Sequence, residues 1–204
     1  MDKSPLFIDK ALKGDGDSDR HLISIFAIAL ASRGKTYVEL GVREGHTSEP
    51  LYEAAKANDG KLWSVDINQP SEYQPYVNGF LDNKHYEFVQ SDSIFFLEQW
   101  PKDKKMDVVF VDDWHSYTHV KKQLELLDEL VGPSSIILLH DLMYGNTDPF
   151  YHVDLSHGGP QWDEGGPYRA VAELNPQFWE WSTLPWNNGL TILRKKYSNK
   201  YHRR

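Results

Sequence analysis

The sequence predicts a single α/β domain, residues 1–204, built on a doubly wound, mostly parallel sheet with helices on both faces. Apolar strand-like segments alternate with helix-like segments of about 10–15 residues, which is typical of a parallel sheet. Segment 106–111 is apolar almost throughout, as expected of a strand covered on both faces. The chain has 204 residues, of which 40% are apolar and 13% aromatic, enough for one domain with a large core.

Seven segments are predicted to be strands. They span residues 36–40, 62–67, 86–89, 106–111, 136–139, 178–181 and 190–193. The last two are joined by a short connection, which predicts an antiparallel C-terminal hairpin on an otherwise parallel, Rossmann-like sheet. Ligands of such sheets bind outside the carboxyl ends of the strands, so we expect the functional residues to follow strands.

Helices are predicted between the strands from apolar spacing and end signals. An N-terminal helical segment, 1–33, contains apolar residues at helical spacing from Leu22 to Leu30, with Ser18 or Asp19 as its cap and Gly34 as its end. The later helices are predicted at 47–58, from Asp92 to Trp100, along an apolar stripe at 120–131, and at 168–174.

Charge and composition exclude several classes of protein. Lys and Arg number 22 against 30 Asp and Glu, a net charge of −8, which disfavours nucleic-acid and anionic-membrane partners. Cysteine is absent, so disulfide and thiolate chemistry are excluded. The longest apolar run, 23–31, is about half of a membrane span, and the charged N-terminus resembles no signal peptide. We therefore expect a cytoplasmic protein, and a homo-oligomer is left open.

A glycine turn after the first strand is the strongest cofactor signal. It reads E-L-G-V-R-E-G-H-T-S over residues 39–48 and includes Glu39, Gly41, Gly45 and Thr47. Gly41 permits a tight turn, and Gly45 permits a ligand to approach the backbone closely. The following helix start offers unpaired N–H groups to an anion. A purely structural glycine turn is the alternative.

Acidic residues follow the next two strands. Asp66, with Ile67 beside it, ends the second strand, where a carboxylate can accept the hydroxyls of a ribose. Ser91 and Asp92 end the third, where a side chain can hydrogen-bond an adenine amino group. The alternative for each is an ordinary turn or helix cap.

The glycine pattern departs from that of dinucleotide sites. It is E-x-G-x-x-x-G, whereas a dinucleotide site favours G-x-G-x-x-G. Together with the acids that end strands two and three, this pattern resembles the class I S-adenosylmethionine-dependent methyltransferases over nearly the whole chain. The resemblance implies that Glu39 lies beside the methionine moiety, that Asp66 binds the ribose, and that Ser91 or Asp92 contacts the adenine.

Two further segments resemble the small-molecule O-methyltransferase branch (methyltransferase family 24) and catechol O-methyltransferase. They are V-F-V-D-D-W-H-S-Y at 109–117 and L-L-H-D at 138–141. In those families, acids after strands four and five hold a divalent ion that chelates the acceptor oxygens. The resemblance implies that Asp112 and Asp141 have this role, and it places His115 where catechol methyltransferase has its lysine base.

Two departures from these patterns leave the metal site open. Trp114 replaces the second acid of one pattern, and Leu142 replaces a metal-binding asparagine of the other. The metal site is therefore shifted or absent, and in the second case Asp112 and Asp141 bind the cofactor or cap loops. Oxygen-rich ligands favour Mg²⁺ or Mn²⁺. The candidate metal ligands are Asp112, Asp113, His140 and Asp141.

The expected function is S-adenosylmethionine-dependent methyl transfer to a hydroxyl of a small molecule, with Asp112 and His115 as catalytic residues. A Rossmann-like nucleotide- or NAD-binding protein and a non-catalytic cofactor-binding subunit are the alternatives. Segment 143–168 is rich in Gly, Pro and aromatics, and we interpret it as a substrate lid loop, with loop packing or an oligomer contact as the alternative.

Overall fold

The structure is a computed structural model that describes residues 6–16, 18–69, 84–143 and 165–196. Its strands are β1 (Thr36–Leu40), β2 (Lys61–Asp66), β3 (Tyr86–Gln90), β4 (Met106–Val111), β5 (Val131–His140), β6 (Trp179–Leu184) and β7 (Leu190–Lys195). They form one sheet in the order β3-β2-β1-β4-β5-β7-β6. The first five are parallel, and β7 runs antiparallel to both β5 and β6. The predicted α/β fold is confirmed.

Of the helices in the described residues, α2 to α6 agree with the sequence prediction except near their ends. They are α1 (Leu6–Lys13), α2 (Leu22–Ala31), α3 (Ser48–Ala57), α4 (Ser93–Gln99), α5 (Tyr117–Leu130) and α6 (Gly166–Ala172).

The N-terminal helical segment differs most from its prediction. Helix α1 was not predicted as a separate helix, and a 3-10 turn at Asp19–His21 precedes α2, where the prediction has a side-chain cap. Helix α2 ends before Gly34 because Arg33, with φ of 54°, already takes the left-handed conformation.

Two apolar cores cover the two faces of the sheet. Along β4 the side chains alternate between them: Val109 and Val111 belong to the core under α4, α5 and α6, and Val108 and Phe110 belong to the core under α2 and α3. Helices therefore pack on both faces, which explains the continuous apolar pattern of β4.

Part of the predicted lid cannot be compared with the structure. Residues 144–164 lie outside the described residues, and of segment 143–168 only Met143 and 165–168 lie within them. Helix α6 begins at Gly166, two residues before the predicted start, with Pro167 in its first turn. Within the described ranges, none of the helices has the length and apolar character that a membrane crossing requires.

Candidate functional site

The predicted site residues follow neighbouring strands along one edge of the sheet. The Gly41 N–H donates to Val65 O at 2.9 Å, and the Asp112 N–H donates to Leu40 O at 2.8 Å, so strand pairing continues to this edge. The strand order reverses direction between β1 and β4, which is the switch point where such folds bind ligands. In the order from β3 to β5, the residues at this edge are Ser91, Asp66, Gly41, Asp112 and His140.

The glycine turn packs directly against the end of β4. Gly41 has φ of 90°, and a methyl group on its Cα would collide with the backbone of Asp112 and Asp113. Gly45 also has a positive φ, of 72°. Glycine is therefore required at position 41 both by conformation and by close packing.

Glu39 lies beneath this turn and is fully buried. Its carboxylate accepts hydrogen bonds from the Thr47 hydroxyl at 2.6 Å, the Ser48 hydroxyl at 2.7 Å and the Ser64 hydroxyl. Burial raises the pKa of Glu39 to about 7, although these three hydroxyls oppose the change. Thr47 is the N-cap residue of α3 but gives its hydroxyl to Glu39. The acid therefore ties the start of α3 to β1 and β2.

Asp66 joins the end of β2 to the glycine turn. Its Oδ2 accepts hydrogen bonds from the Val42 and Arg43 N–H groups at 2.9 and 3.0 Å, and its Oδ1 accepts one from the Asn68 N–H at 2.8 Å. Ile67, beside it, is 63% exposed. The carboxylate is thus held next to the turn where the sequence predicts a ribose.

Ser91 and Asp92 lie at the end of β3. The Asp92 carboxylate accepts a hydrogen bond from the Phe95 N–H at 2.9 Å and caps α4, and the Ser91 hydroxyl donates to the backbone oxygen of Asp92. These contacts match the capping alternative, and they leave Asp92 exposed at the same edge as Asp66.

An Asp–His cluster follows β4 and β5. One ligand atom from each of Asp112, His115 and Asp141 lies within 4.8 Å of the others. The His115 Nε2 is 3.2 Å from Asp112 Oδ1 and 3.1 Å from Asp141 Oδ2. The His140 Nδ1 is 3.4 Å from Asp112 Oδ1 and 3.1 Å from Asp141 Oδ1. Two imidazoles therefore lie against two carboxylates.

The contacts within this cluster favour the charged forms of His115, His140 and Asp141. Burial lowers the pKa of His115, but its hydrogen bonds to Asp112 and Asp141 outweigh burial and raise it to about 10. The same carboxylates raise the pKa of buried His140 well above its ordinary value. Burial opposes ionisation of Asp141, but His115 and His140 lower its pKa. A general base requires a neutral His115. That form is disfavoured as long as no bound cation balances the charges of Asp112 and Asp141.

Asp113 belongs to a separate hydrogen-bond network. Its Oδ2 is 3.0 Å from His119 Nε2, and the Gln123 side-chain amide donates to both carboxylate oxygens at 2.8 and 3.0 Å. The Ser93 hydroxyl donates a 2.5 Å hydrogen bond to the same carboxylate. Burial opposes ionisation, but His119 and Ser93 lower the pKa of Asp113. Asp112 and Asp113 therefore serve different networks, and Asp113 joins β4 to α4 and α5.

Four residues that surround Asp113 and His140 were not predicted from the sequence. His119, Gln123 and Ser93 surround Asp113, and His21 packs against His140 with ring centroids 5.5 Å apart. A polar Gln123 adjoining the apolar stripe of α5 was a usable signal. Nothing in the sequence indicates that His21, 119 residues before His140, is its neighbour.

Comparison with known proteins identifies the family. Residues 38–142 match a family model described as a methyltransferase domain, that of methyltransferase family 24. The match spans 105 of the 204 residues. The chain belongs to this methyltransferase family. No curated protein sequence matches this chain.

Solved structures similar to this methyltransferase include three from different organisms. The SAH-bound methyltransferase PaMTH1 of Podospora anserina has a TM-score of 0.70 at 16% identity, covering 96% of this chain and 89% of that one. An O-methyltransferase from Bacillus cereus in complex with SAH has a TM-score of 0.64 at 11% identity, covering 96% and 93%. TomG of Streptomyces achromogenes, an O-methyltransferase involved in tomaymycin synthesis and bound to SAM, has a TM-score of 0.62 at 15% identity, covering 88% and 81%.

At these identities the solved structures establish a shared fold. Together with the family match, they confirm the class I methyltransferase resemblance that the glycine turn and the Asp112 and Asp141 segments predicted. The alternative of an unrelated nucleotide- or NAD-binding protein is not favoured.

Proposed function

We propose that this methyltransferase transfers a methyl group from S-adenosylmethionine to a hydroxyl of a small molecule, assisted by a divalent metal. The main support for this proposal is the Asp112–His115–Asp141 cluster, which adjoins the glycine turn at the switch point of the sheet. The bound SAM and SAH of neighbours with the same fold support the choice of cofactor. The predicted cytoplasmic location and a homo-oligomer stay predictions.

The residues along the carboxyl edge fit a nucleoside cofactor. Gly41 and Gly45 bring the backbone close to the ligand, and α3 begins beside them. Asp66 is fixed at the turn, where it can accept ribose hydroxyls, and exposed Ile67 offers an apolar contact beside it. We assign the adenine end to Ser91 and Asp92. Glu39, with Thr47, acts by shaping the turn from below, because its carboxylate is enclosed by hydroxyl donors.

The donor set of the Asp–His cluster fits a divalent cation. Two carboxylates and one imidazole each place a ligand atom within 4.8 Å of the others. This oxygen-rich set favours Mg²⁺ or Mn²⁺. We assign Asp112, His115 and Asp141 as ligands, with His140 beside them. Asp113 supports the cluster from its own network rather than as a ligand.

The chemistry follows from this assignment. A divalent cation held at the cluster would bind the acceptor oxygen and favour its deprotonated form. The protein's part would be to align that oxygen with the methyl group of S-adenosylmethionine, which the adjacent glycine turn would hold. The oxygen would form a bond to the methyl carbon as the carbon–sulfur bond breaks, leaving S-adenosylhomocysteine and a methyl ether, and the hydroxyl proton would pass to solvent. His115 as a general base stays the alternative to His115 as a ligand.

The test is calorimetric titration with S-adenosylhomocysteine, in Mg²⁺ and again in EDTA, followed by methyl-transfer assays with a panel of polyols and phenols. We expect cofactor binding in both titrations and methyl transfer that depends on the metal. The Asp112→Asn variant should keep cofactor binding and lose methyl transfer. Absence of S-adenosylhomocysteine binding, with binding of NAD instead, would overturn the proposal.

A further inference from the structure

The N-terminal 3-10 turn contributes a buried histidine to the edge of the sheet that carries the site. His21 is fully buried, and its Nε2 donates to the backbone oxygen of Trp186 at 2.5 Å. The imidazole stacks on the Trp186 ring, with 6.1 Å between centroids and 17° between planes. The hydrogen bond and the stacking contact with Trp186 therefore fix the ring of His21.

The fixed ring of His21 lies edge-on against His140. Their centroids are 5.5 Å apart and their planes meet at 79°. His140 is 1% exposed, and its Nδ1 is within 3.4 Å of both Asp112 and Asp141. His21 thus packs directly against a ring that contacts both carboxylates of the cluster.

The surrounding chain fixes this arrangement from several sides. The Asn187 side chain donates to Gly16 O at 3.1 Å, and the Gly16 N–H donates to Asp19 Oδ2 at 2.7 Å. Asp19 Oδ1 in turn lies 3.8 Å from His46 in the glycine turn. The turn before α2 therefore bridges the β6–β7 turn and the glycine turn.

We propose that His21 is a positioning residue of the metal and acceptor site: by packing against His140 it holds that ring against Asp112 and Asp141. The expected effect of His21 on metal binding rests on the proposed function, since the two carboxylates are the proposed metal ligands. Groups that hydrogen-bond to metal ligands commonly contribute 10–100-fold to metal affinity, and His140 is such a group for Asp112 and Asp141. The N-terminal turn then belongs to the active site.

The experiment compares His21→Phe with a matched control, His85→Phe. His85 is also buried, and its Nδ1 hydrogen-bonds to Gly60 O at 2.6 Å at the opposite, amino edge of the sheet. Each variant keeps an aromatic ring and removes one imidazole–carbonyl hydrogen bond. A merely structural role of His21 predicts the same outcome for both.

The first readout is the ¹⁵N spectrum of the histidine side chains at one pH, with the signals of His140 assigned from a His140→Asn variant. In the wild type we expect the His140 ¹⁵N signals to report one fixed ring position. In His21→Phe they should be averaged over several ring positions, and in His85→Phe they should stay unchanged. Unmoved signals in His21→Phe, or equal changes in both variants, would overturn the proposal.

The second readout is Mn²⁺ affinity, measured by calorimetry with saturating S-adenosylhomocysteine. We expect at least about a tenfold loss in His21→Phe and no loss in His85→Phe. If the wild-type protein binds no Mn²⁺, the metal part of the proposed function fails, and the spectrum of His140 still decides the role of His21. If His21→Phe does not fold, His21→Gln replaces it, because the glutamine amide can donate to Trp186 O. The same changes in His140 are expected, because this variant removes the ring that packs against His140.

Discussion

The buried carboxyl group of Glu39 predicts an unusual dependence of stability on pH. The pKa of Glu39 is raised by burial from 4.5 to about 7 in the folded protein, while in the unfolded chain it returns to its ordinary value. Between these values the folded protein holds a proton on Glu39 that the unfolded chain releases. This group therefore stabilises the folded state fully below pH 4.5, and its contribution is lost as the pH rises through 7.

The size of the effect follows from the difference in pKa. At about 1.4 kcal/mol per pKa unit, the free energy of unfolding falls by about 3 kcal/mol from pH 4.5 to pH 8 through this one group. Glu39→Gln resembles the protonated acid at every pH, and its amide oxygen can still accept from the hydroxyls of Thr47, Ser48 or Ser64. The variant should therefore gain up to about 3 kcal/mol over the wild type as the pH rises.

The assay is urea unfolding followed by tryptophan fluorescence at pH 5, 6, 7 and 8. The quantity to compare is the difference in unfolding free energy between Glu39→Gln and the wild type, because other titrating groups cancel in it. Glu87→Gln, at an exposed glutamate of β3, is the control and should gain no stability over the wild type as the pH rises, because it loses the ion pair with Lys61. The reasoning is refuted if the difference for Glu39→Gln is constant from pH 5 to pH 8.

Three further substitutions test the site. Gly41→Ala should lower the free energy of unfolding by at least about 2 kcal/mol, from positive φ and backbone collision, as measured in urea. Asp66→Ala should weaken S-adenosylhomocysteine binding by about 1–3 kcal/mol in calorimetry, the contribution of hydrogen bonds to a charged group. Asp113→Ala should cost about 3–5 kcal/mol in thermal unfolding, because it leaves buried Ser93 and Gln123 and half-buried His119 without their acceptor.

Each of these predictions has a control. Gly132→Ala should be tolerated, since an added methyl there meets only Ser135 Oγ at 4.0 Å. For Asp66→Ala, an unchanged circular dichroism spectrum separates lost binding from a disturbed turn, and unchanged affinity contradicts the ribose assignment. Asp103→Ala, at an exposed aspartate, should leave the melting temperature unchanged. A loss below about 1 kcal/mol in Asp113→Ala would show that its network is dispensable.

The sequence predicts the strands and the residues that follow them because these features are local. The β4 segment is apolar on both faces, and Asp66, Asp112 and Asp141 each follow a strand, so parallel pairing alone brings them to one edge. Element ends were less predictable. The prediction ends α2 at Gly34, but the left-handed conformation at its end belongs to Arg33, since a non-glycine residue can adopt it where packing favours it.

Partners from distant segments were not predictable in the same way. Asp112 and Asp113 are adjacent and chemically alike, and only the fold turns one toward His115 and the other toward His119 and Gln123. The contact of His21 with His140 likewise depends on where the N-terminal turn packs, which no local spacing encodes.

The position of β7 inside the sheet has a consequence for synthesis of the chain. Strand β5 pairs with β7, which is made later than β6, so the β5 edge that carries Ile137–Leu139 stays open until residues 190–195 are made. At about 5–20 residues per second, this exposed edge persists for seconds on the ribosome. Ribosome-bound chains arrested before Leu190 should therefore bind chaperones through β5, and chains extended past Lys195 should release them.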